Sequence, residues 1–151
     1  MTVEKHLLKA LSPEHRERLM ALAAEQAFGA GERIFEEREP ADRFWVIRSG
    51  SVTLDLRVRE DDRPMEVSTL RTGDMLGWSW LFPPYEWDFG AEALSPVRSY
   101  RFDGLQVQRL CDADPEFGYA LLRVVAEILA HRVHRARTRL LDRYSSHATG
   151  W

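Results

Sequence analysis

The chain has little cysteine, no long apolar run and almost no charge imbalance, and each shortage removes a class of function. One cysteine, Cys111, in 151 residues cannot form a disulfide within the chain or build a multi-cysteine zinc or iron–sulfur site. It reads as a small, buried apolar side chain in a protein of a reducing compartment. No stretch approaches the roughly 18 apolar residues of a membrane helix, and the start, M-T-V-E-K-H-L-L-K-A, has neither the apolar core nor the small-residue cleavage site of a secretory leader. A cytoplasmic protein with no membrane partner is the expectation. The formal net charge of -3 leaves no overall basic field, so DNA binding by the chain itself is not expected. A nucleophile elbow, a phosphate-cradling loop and a paired-carboxylate motif are also missing, so neither an enzyme nor a cofactor is expected. His131 and His134 stand one helical turn apart without a third ligand close by, and they read as surface histidines rather than a metal site.

What the chain does have is a concentration of aromatic residues. From Gly73 to Ala91 it reads G-D-M-L-G-W-S-W-L-F-P-P-Y-E-W-D-F-G-A, with Trp78, Trp80, Phe82, Tyr85, Trp87 and Phe89 close together. So much apolar area on an ordinary surface loop would drive association, so this segment must pack against something or close over something. With 44% hydrophobic residues and 17.5 kDa, the surrounding chain has the material for one folded domain over 1–151.

Before the aromatic segment the pattern is helical, then β. Leu7, Leu8 and Leu11 lead to Ser12-Pro13-Glu14, an N-cap followed by proline and an acid in the first turn, and the helix beyond carries Leu19, Met20, Leu22 and Ala23 and is expected to fade near Gln26. Gly29-Ala30-Gly31 is a turn, and Glu32 to Glu36 reads as a short strand. Phe44-Trp45-Val46-Ile47 is a compact apolar run. After Ser49-Gly50, Val52, Leu54, Leu56 and Val58 alternate with Ser51, Thr53, Asp55 and Arg57, which predicts one face on a core and one in water. Glu60 to Pro64 is a charged tip, and Met65 to Leu70 reads as the returning strand. Beyond the aromatic segment, Ala91 to Leu94 and Val97 to Phe102 read as two more strands. Short strands at close intervals suggest a sandwich, jelly roll or barrel.

From Gly104 the pattern turns helical. Leu105 to Leu110 precedes Asp114-Pro115-Glu116, another cap with proline, and then an unbroken run to about Arg143. Helical spacing resolves two apolar stripes: Phe117, Leu121, Val124 and Ile128, which stops midway, and Leu122, Val125, Leu129, Val133, Ala136 and Leu140, which continues. The second stripe outlasts its own domain and predicts a homodimer seam. Five arginines against one aspartate between His131 and Arg143 read as a solvated helix flank that complements the negative end of the helix dipole. The expected organisation is a helical region at 3–26, a β-barrel at 27–103 containing the 73–91 segment, helices at 104–143 and a frayed tail at 144–151.

These residues, in this order, resemble the cyclic-nucleotide-binding effector domain of the Crp/Fnr regulators. F-G-A-G-E-R-I at Phe28 to Ile34 is similar to the opening turn and strand. P-A-D-R-F-W-V-I-R-S-G-S-V-T-L at Pro40 to Leu54 is similar to the family's most recognisable signature, and L-R-T-G-D-M-L-G at Leu70 to Gly77 leads into its phosphate-binding cassette. The resemblance implies a mainly β fold with flanking helices: an eight-stranded jelly-roll barrel, a short helix inside the cassette and a long C-terminal dimerisation helix. In members that bind cyclic nucleotides, a glutamate after the cassette glycine holds the ribose 2′-hydroxyl and a later arginine pairs with the cyclic phosphate. Trp78 stands at the glutamate position, Asp88 at the arginine position and Phe89 at the next. Arg38 stands where the family often has glycine. Only eight residues follow Arg143, fewer than a helix-turn-helix needs, so a stand-alone sensory domain is the expectation.

Three roles suit the cassette. Trp78, Trp80 and Phe89 could fill the barrel mouth as core. Alternatively, Trp78, Trp80, Tyr85, Trp87, Asp88 and Phe89 could line a pocket for a less polar or planar ligand, with Asp88 or Glu86 as its polar anchor. They could also face outward as a docking patch. The function expected from the chain is a dimeric regulatory domain of the Crp/Fnr type that senses a small molecule other than a cyclic nucleotide. A ligand-free module that binds a protein partner is the alternative, and atypical cyclic-nucleotide binding a weaker one.

Overall fold

The computed structural model describes residues 4–59 and 61–149, with side chains up to Ser145. Two short helices, α1 (Leu7–Ala10) and α2 (Pro13–Met20), lead into eight strands: β1 (Ala24–Phe28), β2 (Arg33–Phe35), β3 (Arg43–Ser49), β4 (Val52–Leu56), β5 (Met65–Leu70), β6 (Met75–Leu76), β7 (Gly90–Ala93) and β8 (Val97–Asp103). A 3-10 turn, Ser79–Leu81, separates β6 from β7, and α3 (Gly104–Ala113) and α4 (Pro115–Thr149) complete the chain. The strands form two antiparallel four-stranded sheets, ordered β1-β8-β3-β6 and β2-β7-β4-β5.

Two cores follow from the alternation within β3. Trp45 and Ile47 point into the barrel, where they meet Phe28, Phe35, Val52, Leu76 and Trp87. Phe44 and Val46 point the other way, under the helices, with Leu19, Met75, Phe102, Phe117 and Leu121. A strand buried on both faces loses its polar alternation, which is why this segment is a continuous apolar run. Phe44 stacks between Trp80 and Phe102, each with its ring centroid 4.8 Å away.

The caps read from the sequence are in place. Ser12 Oγ accepts from the backbone N–H of His15 at 3.3 Å, and Asp114 Oδ1 accepts from that of Phe117 at 3.2 Å. The helix–helix corner is tight, since a Cβ on Gly118 would meet the carbonyl oxygen of Cys111 at 2.9 Å. Cys111 is half-buried rather than fully buried, and burial pushes its thiol pKa up.

Three further expectations are corrected. The N-terminal helix stops at Met20 instead of fading near Gln26, and Ala24–Phe28 is a strand paired with β8. Ladder pairing outweighs the helical preference of A-A-E-Q-A there, and Gln26 is tied in twice: its carbonyl accepts from Ser99 Oγ at 2.8 Å and its side chain from Trp45 Nε1 at 2.9 Å. The polar face of β4 is not in water, because Thr53 and Asp55 are buried, Asp55 to 6% exposure beneath Arg33. The last helix continues past Arg143 to Thr149. Of the expected tail, Gly150 and Trp151 lie outside the described residues, as do Glu60 of the charged tip and residues 1–3.

The two stripes of α4 part as their spacing requires. Phe117, Leu121, Val124 and Ile128 are all buried against the sheet and α3. Of the longer stripe, Val125 is also buried in its own core at 3% exposure and Leu129 is half-buried, whereas Leu122, Val133, Ala136 and Leu140 are exposed, Val133 by 69% and Leu140 by 68%.

Candidate ligand site between the cassette and the last helix

The cassette begins at a turn that the sequence makes unavoidable. Gly73 has φ +91°, its N–H donates to the carbonyl of Ile47 at 2.7 Å, and Asp74 Oδ2 accepts from the N–H of Arg71 at 2.8 Å. After β6 the chain turns again at Gly77, also at φ +91°, where a Cβ would meet Cζ3 of Trp87 at 2.8 Å. Both the backbone and the neighbouring ring therefore require glycine.

The aromatic residues separate into four groups. Trp80 turns into the helix-side core at 2% exposure, and its carbonyl accepts from Gln108 Nε2 at 3.0 Å. Trp87 turns into the barrel and stacks on Phe35, with centroids 4.0 Å apart. Trp78 and Phe89 are half-buried at the mouth. Phe82 and Tyr85 lie on the outside, flanking a cis Pro83–Pro84 bond, with Tyr85 at φ +58°. The returning limb is held against the 38–41 loop: the N–H groups of Arg38 and Trp87 donate to the carbonyls of Trp87 and Glu39, at 2.8 and 3.0 Å, and the N–H of Ala41 donates to that of Tyr85 at 2.7 Å.

The predicted pocket residues are thus only partly brought together. At the inner end, Gly77, Trp87, Asp88 and Phe89 enclose only about 20 Å³. Asp88 is exposed there and Tyr85 is not among the lining residues. Farther out, Trp78 and Phe89 wall a cleft of about 370 Å³ whose floor is Leu54, Val67 and Ser68 and whose far side is α4, through Leu129, Val133 and Ala136.

The cleft's cations come from α4, not from the cassette. Arg132 is fixed: Nε donates to Glu4 Oε1 and Nη2 to the carbonyl of Met75, both at 2.5 Å. Burial raises the Glu4 pKa, and Arg132 opposes that rise. Arg139 donates to the carbonyl of Val67, and Arg135 borders the cleft as well. On sequence alone these arginines read as a solvated flank. Their spacing from the apolar stripe was the available signal, because 132, 135 and 139 lie on one side of Leu129, Val133 and Ala136 at 100° per residue.

Beyond Arg135 and Arg139 lies a second, polar cavity of about 650 Å³, bordered also by His6, Arg71, Asp74, His131, His134 and Thr138. Among the described residues no group of three or more His, Cys, Asp or Glu could hold a metal, and no helix is long and apolar enough to cross a membrane. On the outer face of β4, Arg33 donates to both carboxylate oxygens of Asp55, at 2.5 and 3.2 Å, and Gly90 leaves room for the pair, since a Cβ there would come within 2.3 Å of both groups.

Comparison with known proteins agrees with this architecture. The family model described as the cyclic nucleotide-binding domain matches residues 25–114. The CRP-like cAMP-activated global transcriptional regulator of Mycobacterium tuberculosis is 31% identical over 115 residues, which is 76% of this chain and 49% of that protein. The chain thus spans about half the length of the curated relatives it matches. The N-terminal domain of a Streptomyces coelicolor A3(2) transcriptional regulator has 29% identity and a TM-score of 0.70, covering 85% of this chain and 91% of that one. A cyclic nucleotide-binding domain from Methylobacillus flagellatus KT shares the fold at a TM-score of 0.79, with 17% identity and coverage of 88% and 74%. The jelly-roll barrel with a long C-terminal helix, the ordered sequence motifs and these likenesses together make the chain a member of the cyclic nucleotide-binding domain family, with CRP-like relatives.

Proposed function

We infer that the chain is a regulatory domain that senses a small molecule other than a cyclic nucleotide, in the cleft between Trp78, Phe89 and α4, and that it acts as a homodimer through α4. The observation that carries this reading is the division of the site: the inner, cassette end is filled by Trp87, whereas the outer cleft keeps about 370 Å³. The Mycobacterium tuberculosis relative is described as cAMP-activated. Here Trp78 cannot accept a ribose hydroxyl as a carboxylate does, and Asp88, in the place of the phosphate-pairing arginine, would repel the cyclic phosphate. A volume of 370 Å³ lies within the range of small-molecule sites.

Leu129, Val133 and Ala136 border the cleft and also belong to the proposed dimer stripe. A partner helix laid along α4 would cover the cleft's outer side, so occupancy and subunit packing would be coupled. The exposed Phe82 and Tyr85 favour a second reading, a ligand-free module that docks a protein through the cassette's outer edge.

The test pairs calorimetry with thermal shift. Millimolar cyclic AMP should give no saturable heat, while planar apolar compounds should raise the Tm of the parent and not of Trp78→Ala. Micromolar cyclic AMP binding would overturn the reading, and so would a broad compound set without any Trp78-dependent shift.

A further inference from the structure

The apolar cleft and the polar cavity are neighbours, and Arg135 and Arg139 border both. Rotation by 100° per residue explains the arrangement: around α4 the surface runs from Leu129, Val133 and Ala136, through the arginines, to His131, His134 and Thr138. One helix therefore presents an apolar wall, a cationic ridge and a polar wall in succession.

The charges along this ridge are unequally satisfied. Arg132 is committed to Glu4 and to the carbonyl of Met75, and Arg139 spends one N–H on the carbonyl of Val67. On the facing elements, Glu4 is balanced by Arg132, and Asp74 accepts from the N–H of Arg71 and lies 3.6 Å from His6. Among the described residues, the side chain of Arg135 makes no hydrogen bond or ion pair. The result is an aromatic-walled cleft of low polarity whose open border carries an unpaired guanidinium.

We propose that the ligand is an amphipathic organic anion: a planar ring body between Trp78 and Phe89, with a carboxylate, sulfonate or phosphate turned outward to Arg135 and Arg139. This deepens the small-molecule reading above and rests on it. It also reverses the polarity of cyclic-nucleotide binding, in which the anionic group enters the cassette. The physical reason is local: the inner end has only about 20 Å³ of space, holds Asp88, and is bordered by a cation, Arg132, that is already committed to Glu4 and Met75, whereas Arg135 and Arg139 stand at the outer cleft. A guanidinium presents parallel N–H donors that match an oxyanion, and the ring body gains from stacking on indole and phenyl faces.

The test uses two dyes on the full chain. One is 8-anilinonaphthalene-1-sulfonate, an aromatic anion, and the other is N-phenyl-1-naphthylamine, its uncharged analogue. The anion should bind at one site per chain, more tightly than the neutral dye. Arg135→Gln should weaken the anion roughly fivefold and leave the neutral dye unchanged, as expected for a partly solvated charge-assisted contact. Trp78→Ala should weaken both dyes, with circular dichroism unchanged. If the neutral dye binds as tightly as the anion, or Arg135→Gln affects neither, the anionic inference is wrong and the apolar site stands. If neither dye binds saturably, or Trp78→Ala changes neither, the site itself is wrong and both proposals fall.

Discussion

The rings of Trp87 and Phe35 are stacked with their centroids 4.0 Å apart and their planes 13° from parallel, at the cassette end of the barrel. Trp45 lies beside them, 5.9 Å from Trp87 and 5.7 Å from Phe35. An apolar cluster of this kind does two things at once. It completes the barrel core, and it leaves only about 20 Å³ at the inner end of the cassette.

The first prediction concerns that plug. Trp87→Ala should destabilise the fold by about 3–5 kcal/mol, the usual cost of truncating a buried large aromatic. Gly77→Ala should also be costly, because its Cβ would fall 2.8 Å from the Trp87 ring at a backbone φ of +91°. The double variant Gly77→Ala/Trp87→Ala should lose less than the two single losses added, since the clash disappears with the ring. Urea titrations give all three numbers, and strict additivity would show that the backbone alone requires this glycine.

A second prediction follows from Arg38, which adopts φ +69° in the turn before β3. Its N–H donates to the carbonyl of Trp87, and its side chain is exposed. Arg38→Gly keeps the hydrogen bond and removes the left-handed penalty, so it should stabilise by about 0.5–1 kcal/mol despite the greater freedom of the unfolded chain. A lower urea midpoint for Arg38→Gly would mean that its side chain contributes more than its exposed position suggests.

The third concerns pH. Burial raises the Glu4 pKa in the folded protein, with Arg132 acting against it. The folded state therefore holds this proton more tightly than the unfolded chain does. The stabilisation is fully present below the ordinary carboxylate range and is lost as pH rises through the raised value. Glu4→Gln removes this dependence, so its stability relative to the parent should climb through mildly acidic pH and then level off. Denaturation curves at several pH values between 4 and 7 check the sign, and a flat difference would show that the Arg132 pairing cancels the burial.

Much of the architecture is legible because two apolar patterns, one continuous and one of helical period, are sharp. The apolar run in β3 is buried on both faces, and the stripe of Phe117, Leu121, Val124 and Ile128 is buried as its helical spacing requires. Ala24–Phe28 was misread because A-A-E-Q-A is a good helix on local grounds, and only its pairing partner, Val97–Arg101, decides otherwise. Asp55 is misread for a related reason: it is covered by the side chain of Arg33, 22 residues away. In the cassette, composition predicts that the aromatics pack; four of the six do, and Phe82 and Tyr85 stay exposed. Trp78, Trp80 and Trp87 have three different environments: a turn at Gly77 and a 3-10 turn at Ser79–Leu81 separate Trp78 from Trp80, and the 38–41 loop holds the limb that carries Trp87.

The last prediction is the dimer. Val133 and Leu140 are 69% and 68% exposed, and Leu141 and Tyr144 extend the apolar surface beyond the domain's own core. Burial of such a face is worth about 25 cal/mol per Å², set against the cost of immobilising a second chain. Val125 is already packed inside its own domain, so the seam should centre on the later residues Val133, Ala136 and Leu140. Val133→Glu and Leu140→Glu test this without touching the domain core, because neither side chain packs there. Light scattering should give a dimer for the parent at micromolar concentration and a monomer for each variant, with circular dichroism unchanged. A monomeric parent would rule out the homodimer, and variants that remain dimeric would place the seam on another surface.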